Sequence, residues 1–300
     1  MSGSATIRVG VVGAGQNTRT RHIPELKSID GVEVVAVANR TLASSRAVAD
    51  EFDIEGVFDD WETLVQDSGV DAVVVGTWPN MHSPVTLAAL FAGKHVLCEA
   101  RMAMNSAEAR QMLEATEERP ELVAQLVPSP LSFGVDQTVR RIVSEGSLGS
   151  IFAVDIQFRS GAFAEPDRPP HWREERAKSG NNIMAIGIWY ETLMRWLGTA
   201  ASVFALSRTA VPLRPSPDGP VEVEIPDYLE VLAEMNQGAL ARFQMSDVTG
   251  LSRANRATLY GTEGTLRFED GELYLGKDGD EDVARLEIPE SERGKWRVER

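Results

Sequence analysis

The hydrophobic pattern divides the chain into two halves that follow different rules. In the first half, short apolar runs alternate with helical stretches. The runs are Ile7–Val12, Val32–Ala38, Asp71–Val75, His95–Cys98 and Leu122–Val127, each largely apolar on consecutive residues. Ile23-Pro24 opens a helix with proline in its first turn, and residues 42–52 set Ala43, Ala47 and Val48 among polar positions. Ser83-Pro84 supplies a cap and a first-turn proline ahead of Leu87, Leu90 and Phe91. Asn105 caps a further helix, with Glu108 three positions on and Ala109, Met112, Leu113 and Thr116 along one face. Strands that are apolar on both faces and alternate with helices specify a doubly wound parallel sheet.

The pattern changes after Pro128-Ser129-Pro130. Helices are predicted over 132–145 and 182–197, with a strand at Ile151–Arg159 between them. Five further strands follow in close succession, from Ala201–Thr209 to Gly264–Glu269, and Glu272–Leu275 is a sixth. Asn236-Gln237-Gly238 and Glu269-Asp270-Gly271 are hairpin turns. Pro212–Pro220 reads as a loop. The expected fold class is therefore α/β in residues 1–128, followed by an α+β domain with an open, mainly antiparallel sheet in 129–300.

Composition narrows the function. The chain has 300 residues, 43% of them hydrophobic and 25% charged, as in a soluble globular protein of two domains. No apolar run approaches the roughly 18 residues of a membrane span, and Met1–Thr6 lacks the basic and apolar regions of a signal peptide. A single cysteine, Cys98, excludes an internal disulfide framework and favours a reducing cytoplasm. The net charge of −15 argues against nucleic-acid and membrane partners. Residues 1–49, however, hold six Lys/Arg and three Asp/Glu, a local net of +3 that points to an anionic ligand.

A candidate for that ligand lies in the first turn. Gly13-Ala14-Gly15 stands between strand and helix, where glycine lets backbone amides approach a pyrophosphate at a helix N-terminus. The third position of the G-x-G-x-x-G fingerprint is Thr18, and Gln16, Asn17 and Arg19 complete the turn. An NAD-preferring site places a carboxylate at the end of the second strand; here the residues are Asn39, Arg40 and Thr41. Arg40 suits a 2′-phosphate, with Thr41 donating a hydroxyl hydrogen bond. NADP(H) is expected over NAD(H).

These blocks resemble the Gfo/Idh/MocA oxidoreductase family. The resemblance is carried by Gly10–Gly15, Asp71–Thr77, His82, Ala92–Glu99, Glu145–Gly149, Gly180–Glu191 and Tyr260–Thr265, in order along nearly the whole chain. It implies a Rossmann domain followed by an open-sheet domain whose exposed face often pairs two copies, so a homo-oligomer is expected. It also implies hydride exchange with a sugar or polyol carbon; Thr77, His82 and Glu99 are candidates for contact with the cofactor, although a lone His at 82 is more often a packing residue. The chain is expected to stop short of its natural C-terminus, because family members continue beyond Lys295–Arg300.

The family's proton relay is altered. Its Glu-Lys-Pro motif reads Glu99-Ala100-Arg101, and its helical Asp and His fall on Ala185 and Trp189. Arg stays protonated and clamps anions, Ala has no titratable group, and Trp offers only an N–H donor. The remaining candidates are Arg101, Tyr190 and Glu191 for chemistry, and Trp189, His171 and Trp172 for a substrate pocket; Trp189 and Trp196, at i and i+7, suit core packing equally well. They favour a small anionic or planar, sugar-like substrate. The four histidines and Cys98 have no metal-ligand spacing. Two readings follow: an oxidoreductase with a rebuilt active site, or a non-catalytic dinucleotide-binding sensor.

Overall fold

The structure is a computed structural model that describes residues 6–127, 132, 134–181 and 183–294. The chain forms two compact units. The first holds the N-terminal residues to Pro128 together with Ala177–Asn181; the second holds the remainder. The expected boundary at Pro128-Ser129-Pro130 and the tail from Lys295 lie outside the described residues.

In the first unit β1 (Ile7–Val12) leads through a π-helical turn at Thr18–His22 into α1 (Ile23–Lys27). Then come β2 (Val32–Ala38), α2 (Leu42–Phe52), β3 (Gly56–Phe58), α3 (Trp61–Gln66) and β4 (Ala72–Val75). The unit ends with α4 (His82–Phe91), β5 (His95–Cys98), α5 (Ser106–Glu117) and β6 (Ala124–Leu126). The six strands are parallel, in the order β3-β2-β1-β4-β5-β6. Both faces of the sheet are covered, giving two apolar cores, one around Val73, Leu90 and Val96, the other around Val11, Ile23 and Val37. Burial on both sides is why these strands read as continuous apolar runs. Asn105 caps α5 as expected, its Oδ1 accepting from the amides of Ala107 and Glu108 at 3.0 Å each. The short β3 and α3 have too few residues to show a period, and the apolar pattern did not announce them.

The second unit begins with α6 (Asp136–Ser144), β7 (Ile151–Ser160), α7 (Arg176–Ser179), α8 (Ile186–Leu197) and β8 (Ala200–Arg208). The segment expected to be a loop folds into the small ribbon of β9 (Leu213–Arg214) and β10 (Val221–Glu222). The remaining strands are β11 (Tyr228–Met235), β12 (Leu240–Ser246), β13 (Arg253–Gly261), β14 (Gly264–Glu269), β15 (Glu272–Lys277) and β16 (Ala284–Leu286). Eight of them form one sheet, β16-β15-β14-β13-β7-β12-β11-β8, antiparallel except where β7 meets β12. One face packs beneath α6 and α8, burying Ile156, Val231, Phe243 and Leu259. The other face is open: Phe204, Leu206, Leu232 and Leu240 are all more than half exposed, and Phe204 stands directly opposite Leu232 across the β8–β11 ladder.

Candidate functional site

The turn after β1 is shaped for a close approach. Gly13 has φ +84°, and a Cβ there would lie 2.5 Å from the Thr77 side chain and 2.7 Å from its backbone nitrogen. Thr18, at the third fingerprint position, is buried; its Oγ1 donates to the Gly13 carbonyl at 3.2 Å. The space a glycine would leave on the helix is supplied by Gly76, where a Cβ would meet Thr18 Oγ1 at 2.1 Å. Helical geometry starts at Gln16, directly after Gly15, which aims first-turn amides at the cleft. This start is earlier than the Ile23-Pro24 opening that the sequence favours.

A cavity of about 450 Å³ opens here, lined by the Gly13–Gly15 turn, Asn39, Arg40, Ser44, Thr77, Trp78 and Asn80 among others. Among the described residues no carboxylate lines it. Two of its polar atoms, Thr77 Oγ1 and Asn80 Oδ1, are buried and have no hydrogen-bond partner, a costly state unless a ligand completes them. Arg40 lies over the Trp78 ring, 5.1 Å from its centroid.

The other nucleotide candidates are committed to structure. Asn39 Oδ1 accepts from Ala14 N at 2.7 Å, tying the glycine turn to the end of β2. Thr41 was expected to bond a phosphate, but it caps α2, accepting from Ser44 N at 3.2 Å and donating to Ser44 Oγ at 2.9 Å. Arg19 is paired with Glu51, so its charge is locally balanced. Glu99 receives hydrogen bonds from Asn17, from His22 at 2.5 Å and from Ala100 N. Burial opposes its ionisation, but the bonds from His22 and Asn17 outweigh that and hold its carboxyl below the usual range. His82 is buried between two carbonyls, Arg101 at 2.6 Å and Thr77 at 3.0 Å. Burial pushes its imidazole below the ordinary value, so the neutral ring donates to one of them and pins the Arg101 backbone to α4.

The second unit corrects the expectations for α8. Trp189 is fully buried and edge-on to Phe268, with ring centroids 5.7 Å apart. It is a core residue with no exposed ring face to offer a ligand. The buried positions of α8, Trp189, Thr192, Leu193 and Trp196, form the stripe that faces the sheet. Tyr190 OH accepts from Ala200 N at 3.1 Å, and its ring packs on Phe243. Glu191 pairs with Arg195, which also bonds Asp136 and Ser132. Tyr190 and Glu191 thus brace α8 against its neighbours, and neither lines a cavity described here.

A separate cavity of about 430 Å³ lies within this unit. His171, Met184, Phe163, Ile225, Asp227 and Asp247 line it together with several arginines. Trp172 is not in its wall; Arg173 lies over that ring at 4.2 Å. Buried Arg214 donates to Glu174 at 2.9 Å and to the Glu165 carbonyl at 2.7 Å, and Arg168 grips Glu174 through both terminal nitrogens. Asp227 accepts from the amides of Ala210 and Val211. His171 Nδ1 accepts from Arg173 N at 3.2 Å, which leaves the Nε2 proton as its donor; burial and the nearby Arg173 push the ring's pKa down. Packing around Asp247, and the carboxylates of Asp227 and Glu174, push its carboxyl up. Sequence reasoning missed Asp247 because a lone Asp after a strand carries no motif.

Cys98 is buried and its thiol is pushed up to about 12 by that burial, a structural rather than reactive group. Among the described residues there is no cluster of three or more His, Cys, Asp or Glu able to hold a metal, and no helix long and apolar enough to cross a membrane.

Comparison with known proteins agrees with this geometry. Residues 7–125 match the model of an oxidoreductase family with an NAD-binding Rossmann fold, and 137–267 match that family's C-terminal domain. An uncharacterized oxidoreductase, sll0816, of Synechocystis is 27% identical over 289 residues, 93% of this chain and 74% of that protein. Levoglucosan dehydrogenase of Pseudarthrobacter phenanthrenivorans is 24% identical, covering 79% of this chain and 64% of its own length. The solved complex of a levoglucosan dehydrogenase with NADH and L-sorbose superposes with a TM-score of 0.82 at 20% identity, over 98% of this chain and 84% of that one.

Proposed function

Because the chain belongs to the GFO/IDH/MocA oxidoreductase family, we propose that it is an NADP(H)-dependent oxidoreductase whose proton-handling groups have moved. The observation that carries the cofactor reading is the cleft beside β1: two buried, unpartnered polar atoms, a cationic rim at Arg40 and no carboxylate. The residues fit the group. Gly13 and Gly15 give room for the pyrophosphate, the turn from Gln16 to Thr18 supplies amides, and Thr77 Oγ1 and Asn80 Oδ1 gain partners. Arg40 takes the 2′-phosphate. When bound, the nicotinamide supplies or accepts a hydride.

The substrate is a small, hydroxyl-bearing, sugar-like molecule in the cavity of the second unit. Two of its arginines, Arg168 and Arg214, are engaged by Glu174 and the Glu165 carbonyl, and the groups that meet the substrate are the Asp247 carboxyl and His171 Nε2–H. That set suits hydroxyls better than the anion expected from Arg101. Asp247, raised by packing and neighbouring carboxylates, takes and returns the hydroxyl proton, in place of the Lys, Asp and His that the chain lacks. Two copies pair through the open sheet face of Phe204, Leu206, Leu232 and Leu240, and the protein works in a reducing cytoplasm.

The sensor reading is favoured by one specific observation: at the two helical positions where the family implies proton-relay groups stand Ala185 and the core residue Trp189. One experiment separates the two. Purified protein is titrated with NADPH and NADH, then assayed by nicotinamide absorbance against levoglucosan, L-sorbose, polyols and sugar acids. Turnover that vanishes in Asp247→Asn supports the enzyme. Tight NADPH binding without turnover across the panel supports the sensor.

A further inference from the structure

The cavity of the second unit has an aromatic ring in its wall that the fold holds in place and leaves bare. Phe163 lines that cavity and is 62% exposed. Single exposed apolar side chains are ordinary on a protein surface. This one is different because its seat is built.

The ring sits on Gly250. A Cβ at that glycine would lie 2.3, 2.4 and 2.6 Å from three adjacent atoms of the Phe163 ring, so only a residue without a side chain leaves the ring this space. The loops that carry the two residues are tied together, Leu251 N donating to the Gly161 carbonyl at 3.1 Å. Ala162 N donates to Ser160 Oγ at 3.2 Å, fixing the chain just before the phenylalanine. Gly161 has φ +74°, and a Cβ there would lie 2.6 Å from the Arg253 side chain, so this loop lies close against the start of β13.

The result is a cavity with two kinds of wall. Phe163, Ile225, Pro226 and Val248 offer carbon, whereas His171 and Asp247 offer polar groups. A ligand that satisfies both has an apolar face and a hydroxylated edge. Ring-closed polyols have that form: where the hydroxyls are equatorial, the axial C–H bonds make each ring face apolar. An open-chain polyol turns hydroxyls to every side and loses more torsional freedom on binding. Phe163, already seated, loses little.

We infer that Phe163 is the stacking platform of this cavity, and that it selects ring-closed polyols over open chains bearing the same hydroxyl pattern. The inference rests on the reading of this cavity as the substrate site.

The test is isothermal titration with 1,5-anhydro-D-sorbitol and D-sorbitol, which share one carbon skeleton with and without ring closure. Wild type, Phe163→Ala, Phe163→Trp and Gly250→Ala are compared with NADPH present, so that neither alcohol is oxidised. Wild type should bind the anhydro compound more tightly than D-sorbitol. In Phe163→Ala, affinity for the anhydro compound should fall roughly fivefold to tenfold, from the apolar area no longer covered, while affinity for D-sorbitol changes less than twofold. Phe163→Trp should keep the wild-type preference. Gly250→Ala keeps the phenyl group but fills its seat, and should reproduce the Phe163→Ala pattern. The denaturant midpoint of Phe163→Ala should match wild type, because the ring is largely exposed.

Equal losses for ring and chain in Phe163→Ala would make the residue part of the cavity's general shape and overturn the platform. So would unchanged affinity for the anhydro compound, or a wild type that binds D-sorbitol as tightly. If neither polyol binds wild type, the substrate reading falls and Phe163 with it. If both bind and Asp247→Asn abolishes turnover while Phe163→Ala changes nothing, that reading stands and the platform alone falls.

Discussion

The nucleotide cleft and the α8 helix both hold residues that depart from the pattern expected from the family resemblance, and the fold treats them differently. In the cleft the altered positions keep their geometry. Thr18 fills a glycine's place, Gly76 makes room for it, and buried polar atoms are left waiting for a ligand. On α8 the altered position 189 is absorbed into the fold: Trp189 packs in the core, and nearby Glu191 is paired with Arg195. The difference lies in where the unpartnered groups stand. Those of the cleft belong to residues that line a cavity, where a ligand can complete them. The unpartnered Trp189 Nε1 is enclosed in the core, and Trp189 lines no cavity described here.

The sharpest way to break this comparison is at Gly13. Gly13→Val forces a branched side chain against Thr77 at positive φ, so dinucleotide affinity should fall at least roughly 100-fold, while circular dichroism reports a retained fold. Binding at wild-type strength would mean that the turn is not the site. Next comes Trp189→His, which reinstates the family residue in α8. If α8 is now structural, the protein gains no turnover and loses about 3 kcal/mol of stability in denaturant unfolding, from the cavity and the buried polar ring. A gain in turnover would show that the position still faces the reaction.

Asp247→Asn should cost roughly 100-fold in alcohol oxidation, the lower range for a general base, with NADPH affinity unchanged. The pH profile carries the sign. A base must be ionised, and the Asp247 pKa is raised, so activity should fade with acid at a higher pH than an ordinary aspartate would give. A rising limb at or below the ordinary aspartate range points to another group. Smaller still, Arg40→Asp should weaken NADPH roughly tenfold and favour NADH. Last, Leu232→Lys on the open sheet face should shift the protein toward monomer in light scattering, with both affinities unchanged.

Most of the fold was legible because its signals are local. The strands Ile7–Val12, Val32–Ala38 and His95–Cys98 and the helix Leu42–Phe52 have the bounds that the apolar pattern implies. The orientation of α8 was partly legible too. Its buried positions, Trp189, Thr192, Leu193 and Trp196, fall at i, i+3, i+4 and i+7, an ordinary core stripe. The spacing left Trp189 evenly between a ligand role and that stripe, and its full burial decides for the stripe. The glycine turn and Arg40 were legible because a fingerprint fixes them next to one another. Trp78, Asn80 and Asp247 were not. Each acquires its meaning from neighbours distant in sequence, which no spacing rule encodes.

The exchange between Thr18 and Gly76 has an evolutionary consequence. A fingerprint search that insists on a small residue at the third position passes over this chain, although the room it looks for is present on the facing strand end. The two positions should change as a pair among descendants: a side chain at 76 is admissible only once 18 has shrunk. A site-saturation library at both codons would display that rule as a triangular map of viable combinations, with the large-large corner empty.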